Sequence, residues 1–514
     1  MDKNGTLTIS NFQQGIADSP LLGFAKMNNI ELFEKQGVAK MQFASTLSFN
    51  TTSLPVTMVY DQFGNQYVGC FAGELYRNGT LMTTYNGAQE NGICDMKIIS
   101  DGTFNAGFPI EYIIVSLYGI NGFYILGPTY HTGTPPSYNF TSAMVNVAFK
   151  QISVGIDLDA TSQPIIYLGN GNKIATIKNF AHVGDGSTPT LSLNTGALTL
   201  QPSHWAYSIK TIGKYLAIGT TSPVTSVFGN TTFPNKNSAV ILWDRSSTSF
   251  NLPTFFKENG ISSMLEVPNR LYVAVGNRGR IFFTDGTTFT QIKRLPFVFN
   301  RQFGNYGYIY PNASTLHNGD LLFGLSGTGT DATYGVYAMS TTPTTLPDGT
   351  QIQYPTVMRN SISTGATGAT QQLGVGFLYS TSADQLYIGW QDGTTYGVDV
   401  ITSTVTSGYN TVIYSPYYTV GSQLMKHTFK RMEISLTAPL LTGQSIRVSY
   451  RENLNDTVWK DLGTYDNTNF GTNNVHNTLA NLASKVKIQF KIELNTTGTN
   501  NIELEALLFY SSEK

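Results

Sequence analysis

Five acidic residues, Glu74, Asp95, Asp244, Asp285 and Asp399, stand at turns or strand ends of a weakly charged chain. Two carboxylates about 5–10 Å apart would suit glycoside hydrolysis, one as acid and one as nucleophile or base. Nothing in the spacing pairs any two of them. No catalytic residue is assigned, and the chain is read as a non-enzyme.

Other chemistry is equally thin. Thr284-Asp285-Gly286-Thr287-Thr288-Phe289 comes nearest to the Asp-box turn of sialidases. Its Asp and Gly are adjacent, however, so it reads as a plain turn between strands, as does Gln391-Asp392-Gly393-Thr394. The six histidines, His131, His182, His204, His317, His427 and His476, are scattered without ligand spacing. Asp157-Leu158-Asp159 opens like a calcium loop, but Thr161 stands where the third ligand belongs and Ser162 where glycine should follow. Gly169-Asn170-Gly171 precedes a strand and offers no helix N-terminus to a phosphate. No metal-ligating or cofactor-binding residue is assigned, and no cofactor is expected.

Two basic clusters occur, Lys293-Arg294 with Arg301, and Lys426, His427, Lys430 and Arg431. They read as solvated strand ends or as contacts to an acidic neighbouring subunit. Tyr130, Tyr138, Trp205, Trp243 and Trp390 have the ring type that stacks on sugars, although a strand Trp more often packs between sheets. The Asn-x-Ser/Thr triplets at Asn78, Asn139 and Asn312 read as Asn/Thr-rich loops.

The elements that would position these groups are strands. In Leu271–Asp285, apolar residues alternate on both sides of a Gly-Asn-Arg-Gly turn, the signature of a hairpin. Similar hairpins recur at Phe71–Tyr76, Ile113–Leu126, Ile165–Ile177, Tyr215–Gly219 with Ala239–Asp244, Leu321–Gly324 with Tyr334–Met339, and Leu386–Gly389 with Tyr396–Ile401. One glycine taken as the turn residue of each (Gly73, Gly119, Gly169, Gly219, Gly276, Gly324, Gly389) gives intervals of 46, 50, 50, 57, 48 and 65 residues. A hairpin unit repeating at about 50 residues is the pattern of propeller blades, which bury their faces only against neighbours. The expectation is an all-β chain with a β-propeller of seven blades, alternatively six, over residues 46–424. Thr411–Tyr414 is expected to pair with an early strand and close the ring.

Residues 1–45 read as an N-terminal arm lying on the ring or on a neighbour, with strands near Leu7–Ser10 and Asn29–Phe33 and a short helical turn near Leu21–Lys26. Past Ser415-Pro416 the texture changes. Val486, Ile488, Phe490, Ile492 and Leu494 alternate with Lys485, Lys487, Gln489, Lys491 and Glu493, so one face is buried and one wet. With Met432–Leu436, Ile446–Tyr450 and Ile502–Leu508 this predicts an antiparallel β-sandwich over 425–514. Val475–Ala483 is expected to be a helical crossover.

Composition bounds function. Charged residues are 12% of the chain and net charge is −1, so nothing steers it to nucleic acid or anionic lipid. The two cysteines, Cys70 and Cys94, do not make a disulfide framework and read as reduced thiols. The N-terminus lacks the basic and apolar regions of a signal peptide. Polar insertions at Gly184–Asn194, Ser222–Asn237, Ser340–Gly349 and Thr364–Gln371 are where a binding surface would be built.

The order of arm, propeller, Tyr414-Ser415-Pro416-Tyr417-Tyr418, Phe429–Ile434, Ile446–Tyr450, Trp459-Lys460-Asp461-Leu462, Val486–Leu494 and Ile502–Tyr510 resembles propeller-bearing virion proteins of tailed bacteriophages, including tail nozzle (muzzle) proteins. The resemblance rests on layout and carries no functional residue. It implies a virion structural protein of the tail, made in the host cytoplasm. Its expected partners are copies of itself in a ring, a hexamer by family, other tail proteins, and genomic DNA passing without sequence-specific binding. The alternative is a receptor- or glycan-binding propeller of the virion.

Overall fold

The computed structural model describes residues 6–511 except 11, 13–23, 25, 33–37, 43–44, 86–91, 106–107, 120, 142–143, 146–148, 157–163, 182–187, 223–237, 251–252, 259, 269, 277, 296–307, 329–333, 342–343, 346–350, 353–355, 361–371, 402–410, 421–426 and 498–499. Most of the expected helical turn near Leu21–Lys26, the Asp157–Ser162 loop, Arg301, Lys426 and most of the insertions at Ser222–Asn237 and Thr364–Gln371 lie outside the described residues, and Lys26 itself opens a strand, Lys26–Asn28.

The chain is all-β. Four-stranded antiparallel sheets follow one another at 55–84, 93–141, 152–199, 205–256 and 261–294. Tyr308–His317, Asp320–Thr328, Gly335–Ser340 and Thr356–Asn360 pair in the same serial way. So do Gln372–Ser380, Leu386–Asp392 and Thr395–Ile401, whose fourth strand is Thr46–Thr51 from the other end of the chain. The first strand of each sheet touches the first strand of the next. Pro55–Tyr60 meets Ile93–Asn105, then come Ile152–Ile156, Trp205–Ile212, Ile261–Val267, Tyr308–His317 and Gln372–Ser380, which returns to Pro55–Tyr60. Serial four-stranded sheets around one axis are the arrangement of a β-propeller.

Each hairpin expected from sequence forms the second and third strands of one sheet. In the Leu271–Asp285 stretch, Val275 pairs with Arg280 across a turn in which Gly276 and Gly279 take φ of 70° and 63°. Gly73 and Gly119 also stand between second and third strands, with φ of 99° and 74°, but the turn assignment fails at Gly169, Gly219, Gly324 and Gly389, which lie inside second strands. Space is the reason. A Cβ on Gly219 would come within 2.5 Å of Ile261 Cγ2, and one on Gly324 within 2.3 Å of Val375 Cγ1. Both neighbours belong to the first strand of the following sheet, so the missing side chain is what lets the sheets close up.

The C-terminal residues build two further sheets. One runs Ile30–Glu31, Ala39–Met41, Glu503–Ser511, His427–Leu436, Val475–Lys485, with Thr6–Ile9 also paired to Glu503–Ser511. In the other, Lys460–Asp466, Gln444–Arg451, Lys487–Thr496 and Thr411–Tyr414 pair in that order, and Lys26–Asn28 follows. Their inner residues share one core, in which the Phe490 and Phe509 rings stack 4.1 Å apart. The period-2 alternation appears as read, with Ile488, Phe490, Ile492 and Leu494 fully buried.

Three expectations are corrected. Val475–Lys485 is a strand, not a helical crossover. Its Leu and Ala content favours helix locally, but it pairs with His427–Leu436, burying Ala480 and Leu482 and leaving Leu479 70% exposed. Residues expected as an arm supply strands to this chain's own C-terminal sheets. Thr411–Tyr414 does pair with an early strand, Lys26–Asn28, but within a C-terminal sheet, and Thr46–Thr51 completes the last sheet of the circuit.

Candidate functional site on the axis

The first strands converge on the axis, and most carry a bulge there. Register shifts fall between Pro55 and Thr57, Ile93 and Asp95, Ala206 and Ser208, Ile261 and Ser263, and Val375 and Phe377. Each is opposed by a small residue of the second strand: Gly69, Ser116, Gly219, Ala274 and Gly389. A bulge adds one residue and re-aims the side chain beside it. Four of these strands place Thr57, Asp95, Ser208 and Ser263 there, buried polar groups in otherwise apolar runs.

Asp95 and Asn312 are the centre of the cluster. Asn312 Nδ2 donates to Asp95 Oδ1 at 3.1 Å and to the Val56 carbonyl at 3.1 Å. Its Oδ1 accepts from Gln151 Nε2 at 3.1 Å, and Gln151 Oε1 accepts from the Ile209 amide. The Asp95 carboxylate also accepts from the Met96 and Ile152 amides, each at 2.9 Å, and from Thr57 Oγ1 at 3.2 Å. Asp95 is fully buried, so every one of these bonds offsets desolvation of its charge. The network joins residues of five sheets and fills the axis at this level.

Residues before the bulges close one end. Phe71, Cys94, Tyr118, Phe149, Tyr207 and Tyr308 pack there, with the Tyr207 and Tyr308 hydroxyls in contact. Lys150 is fully buried beside them, its Nζ donating to the Leu117 carbonyl at 3.3 Å. Burial draws its ammonium down to about 8, and burial pushes the Cys94 thiol up to about 12.

Residues after the bulges form the other end, an open pocket of about 280 Å³. Thr57, Tyr60, Lys97, Lys210, Asn312 and Tyr379 are among its lining residues. Lys97 Nζ stands 3.6 Å from Asp95 Oδ1. Burial, then the charge on Lys97, bring Lys210 down to about 8.

The acidic residues singled out from sequence are dispersed. Asp95 holds the axis. Glu74 accepts from the Thr52 and Ser53 hydroxyls. Asp244 accepts from the Ser246 and Ser247 amides, and Asp285 from the Thr287 hydroxyl and then the Thr287 amide, bonds that hold both below the usual carboxylate range. Asp399 accepts from Trp390 Nε1 at 2.6 Å. Trp243 and Trp390 are each 2% exposed and therefore packing residues, not sugar platforms, while Tyr130 is 38% exposed. Among the described residues no group of three or more His, Cys, Asp or Glu side chains could hold a metal.

Sequence reasoning missed Asn312, Gln151, Lys97 and Lys210. Asn312 had been read as a loop residue, yet it lies in strand Tyr308–His317. The signal available was a polar residue inside an apolar run, as in Val56-Thr57-Met58, Cys94-Asp95-Met96 and Tyr207-Ser208-Ile209.

No protein-family model matches the chain, and no curated protein matches it. Solved structures with a similar arrangement include a glycoside hydrolase family 43 arabinoxylan arabinofuranohydrolase from Bacillus subtilis, at 12% identity and TM-score 0.28, covering 90% of this chain and 96% of that one. Another is the Pan2 WD40 domain of Neurospora crassa, at 10% identity and TM-score 0.40, covering 70% and 97%. A third is virginiamycin B lyase from Staphylococcus aureus, at 10% identity and TM-score 0.40, covering 70% and 99%.

Proposed function

We propose that this chain is a structural component of a phage tail, a nozzle-like ring protein that contacts neighbouring tail proteins and performs no catalysis. In this reading it is a seven-bladed β-propeller fused to a C-terminal β-sandwich. The closed circuit of first strands supports the count of seven, and the shared core between the two C-terminal sheets supports the sandwich.

The observation that carries the mechanical role is the filled axis. Asn312, Asp95 and Gln151 tie residues of five sheets together at the middle of the axis. Such a network stiffens the body where it runs, since Asn312, Asp95 and Gln151 satisfy one another across the sheets they join. DNA would pass beside this body, between copies, and not through it. Fusion supports the same role. Strand Lys26–Asn28 bridges Thr411–Tyr414 and Thr356–Asn360, and the core around Ile492 and Leu494 continues into Val336 and Met339.

The test is the mass of the purified protein in solution, with negative-stain images of what assembles. A closed ring, or a monomer that joins rings when tail components are added, is the expected result. A stable monomer or trimer that adheres to bacterial cells or glycans would sink the reading and favour receptor or glycan binding.

A further inference from the structure

The open end of the axis has the chemistry of a binding site. Among the described residues its lining comes from five first strands and includes two ammonium groups, Lys97 and Lys210, and no carboxylate. The nearest described carboxylates are shared with other donors. Asp95, 3.6 Å from Lys97 Nζ, also has both oxygens bonded by backbone amides, and Glu266 accepts from Thr211 Oγ1 at 2.8 Å.

Burial penalises the Lys210 ammonium, and the charge on Lys97 adds to that penalty. A cation perturbed in this way, in a cleft with convergent polar groups, marks a candidate binding site. The rest of the lining supplies the remaining contacts. Ser314 brings a hydroxyl that it shares with Ser263 Oγ at 2.8 Å, while Phe377, Leu378 and Tyr379 line one side. Tyr60, itself part of the lining, packs against Tyr379 and Tyr387 with ring centres 5.8 and 5.9 Å away.

We propose that this axial pocket binds a small oxyanion, a carboxylate or a phosphate ester, seated between Lys97 and Lys210 with its apolar body against Phe377–Tyr379. The volume of about 280 Å³ sits at the low end of small-molecule sites, which limits the ligand to a compact metabolite. The site is independent of the tail reading, since it requires only the single chain.

The test is calorimetric titration of the full chain at neutral pH and low ionic strength, with inorganic phosphate and with succinate as separate probes. Saturable binding of one probe per chain is expected, weakened about tenfold or more by Lys97→Gln and by Lys210→Gln. Lys97→Arg should retain most of the affinity. Lys430→Gln, at an exposed lysine of strand His427–Leu436, should leave it unchanged. Binding of phosphate alone assigns the site to phosphate esters, and binding of succinate alone assigns it to carboxylates. No saturable binding of either probe overturns the proposal. So does binding that survives unchanged in both glutamine variants, each checked for native far-ultraviolet circular dichroism. If Lys210→Gln does not fold, the Lys97→Gln and Lys97→Arg pair decides alone.

Discussion

Asn312 Nδ2 lies 3.1 Å from Asp95 Oδ1, although 217 residues separate them along the chain. The bond joins strand Tyr308–His317 to strand Ile93–Asn105 across the axis, two strands that do not pair with each other. It brings a neutral amide to a buried carboxylate, and the same amide nitrogen reaches the Val56 carbonyl.

Replacing Asn312 by Ala removes both donors and leaves Asp95 and Gln151 each short of a partner. A loss of about 2–4 kcal/mol is expected, because buried polar atoms then stay desolvated. Urea unfolding of the two proteins measures it. A loss below about 0.5 kcal/mol would mean that the axis does not hold the sheets together.

Gly324→Val should be more damaging than Gly196→Val. A Cβ at Gly324 meets Val375 Cγ1 at 2.3 Å, inside the seam between two sheets, whereas one at Gly196 meets only the flexible Lys173 Cδ at 3.5 Å. Overpacking of that kind costs about 1–3 kcal/mol or more, and the exposed strand position under about 1 kcal/mol. Melting temperatures of the two variants decide it; equal shifts would contradict close approach at Gly324.

Stability should rise as pH goes from about 8 to 9. The folded chain gives up the Lys150 proton near 8, while the unfolded chain keeps it to 10.5. Between those values the unfolded state binds more protons, so raising pH favours the fold, by about 1 kcal/mol over that unit. Lys210 acts in the same direction. Cys94 and Cys70 oppose them increasingly as pH approaches and passes their ordinary value of 9, since burial keeps both folded thiols protonated beyond it. Urea midpoints at both ends of the window test this, and Lys150→Met should remove part of the rise. A fall in the midpoint of the unsubstituted protein across that window would refute it.

Both thiols should resist Ellman's reagent in the native protein and react at the rate of unfolding. Cys70 and Cys94 are free, buried, and raised in pKa chiefly by burial, so little thiolate is present or reachable. Fast release of one thiol equivalent without denaturant would place one of them at the surface.

Much of the strand structure was legible beforehand. Alternation in Val486–Leu494 marked a half-buried strand, and Gly-rich turns between apolar runs marked the hairpins, because both signals are local. Val475–Lys485 misled for the opposite reason. Its residues prefer helix, and only the partner strand His427–Leu436 makes extension favourable. The glycines were noticed for the wrong cause: the recurrence of Gly219 and Gly324 was visible, but their role is a close approach between sheets, not a turn.

The sequence by itself determined the all-β class, the repeating hairpin, and the change of texture after Pro416, since strand period and turn chemistry act within a few residues. Only the tertiary structure decided that Thr46 would bond to Val400, 354 residues away, and that Lys26–Asn28 would join the C-terminal sheets. It alone brought Asn312 to Asp95 and gathered Lys97 and Lys210 at one mouth. Those juxtapositions depend on how the sheets close around the axis, and contacts of such sequence separation leave no periodic mark on the residues that make them.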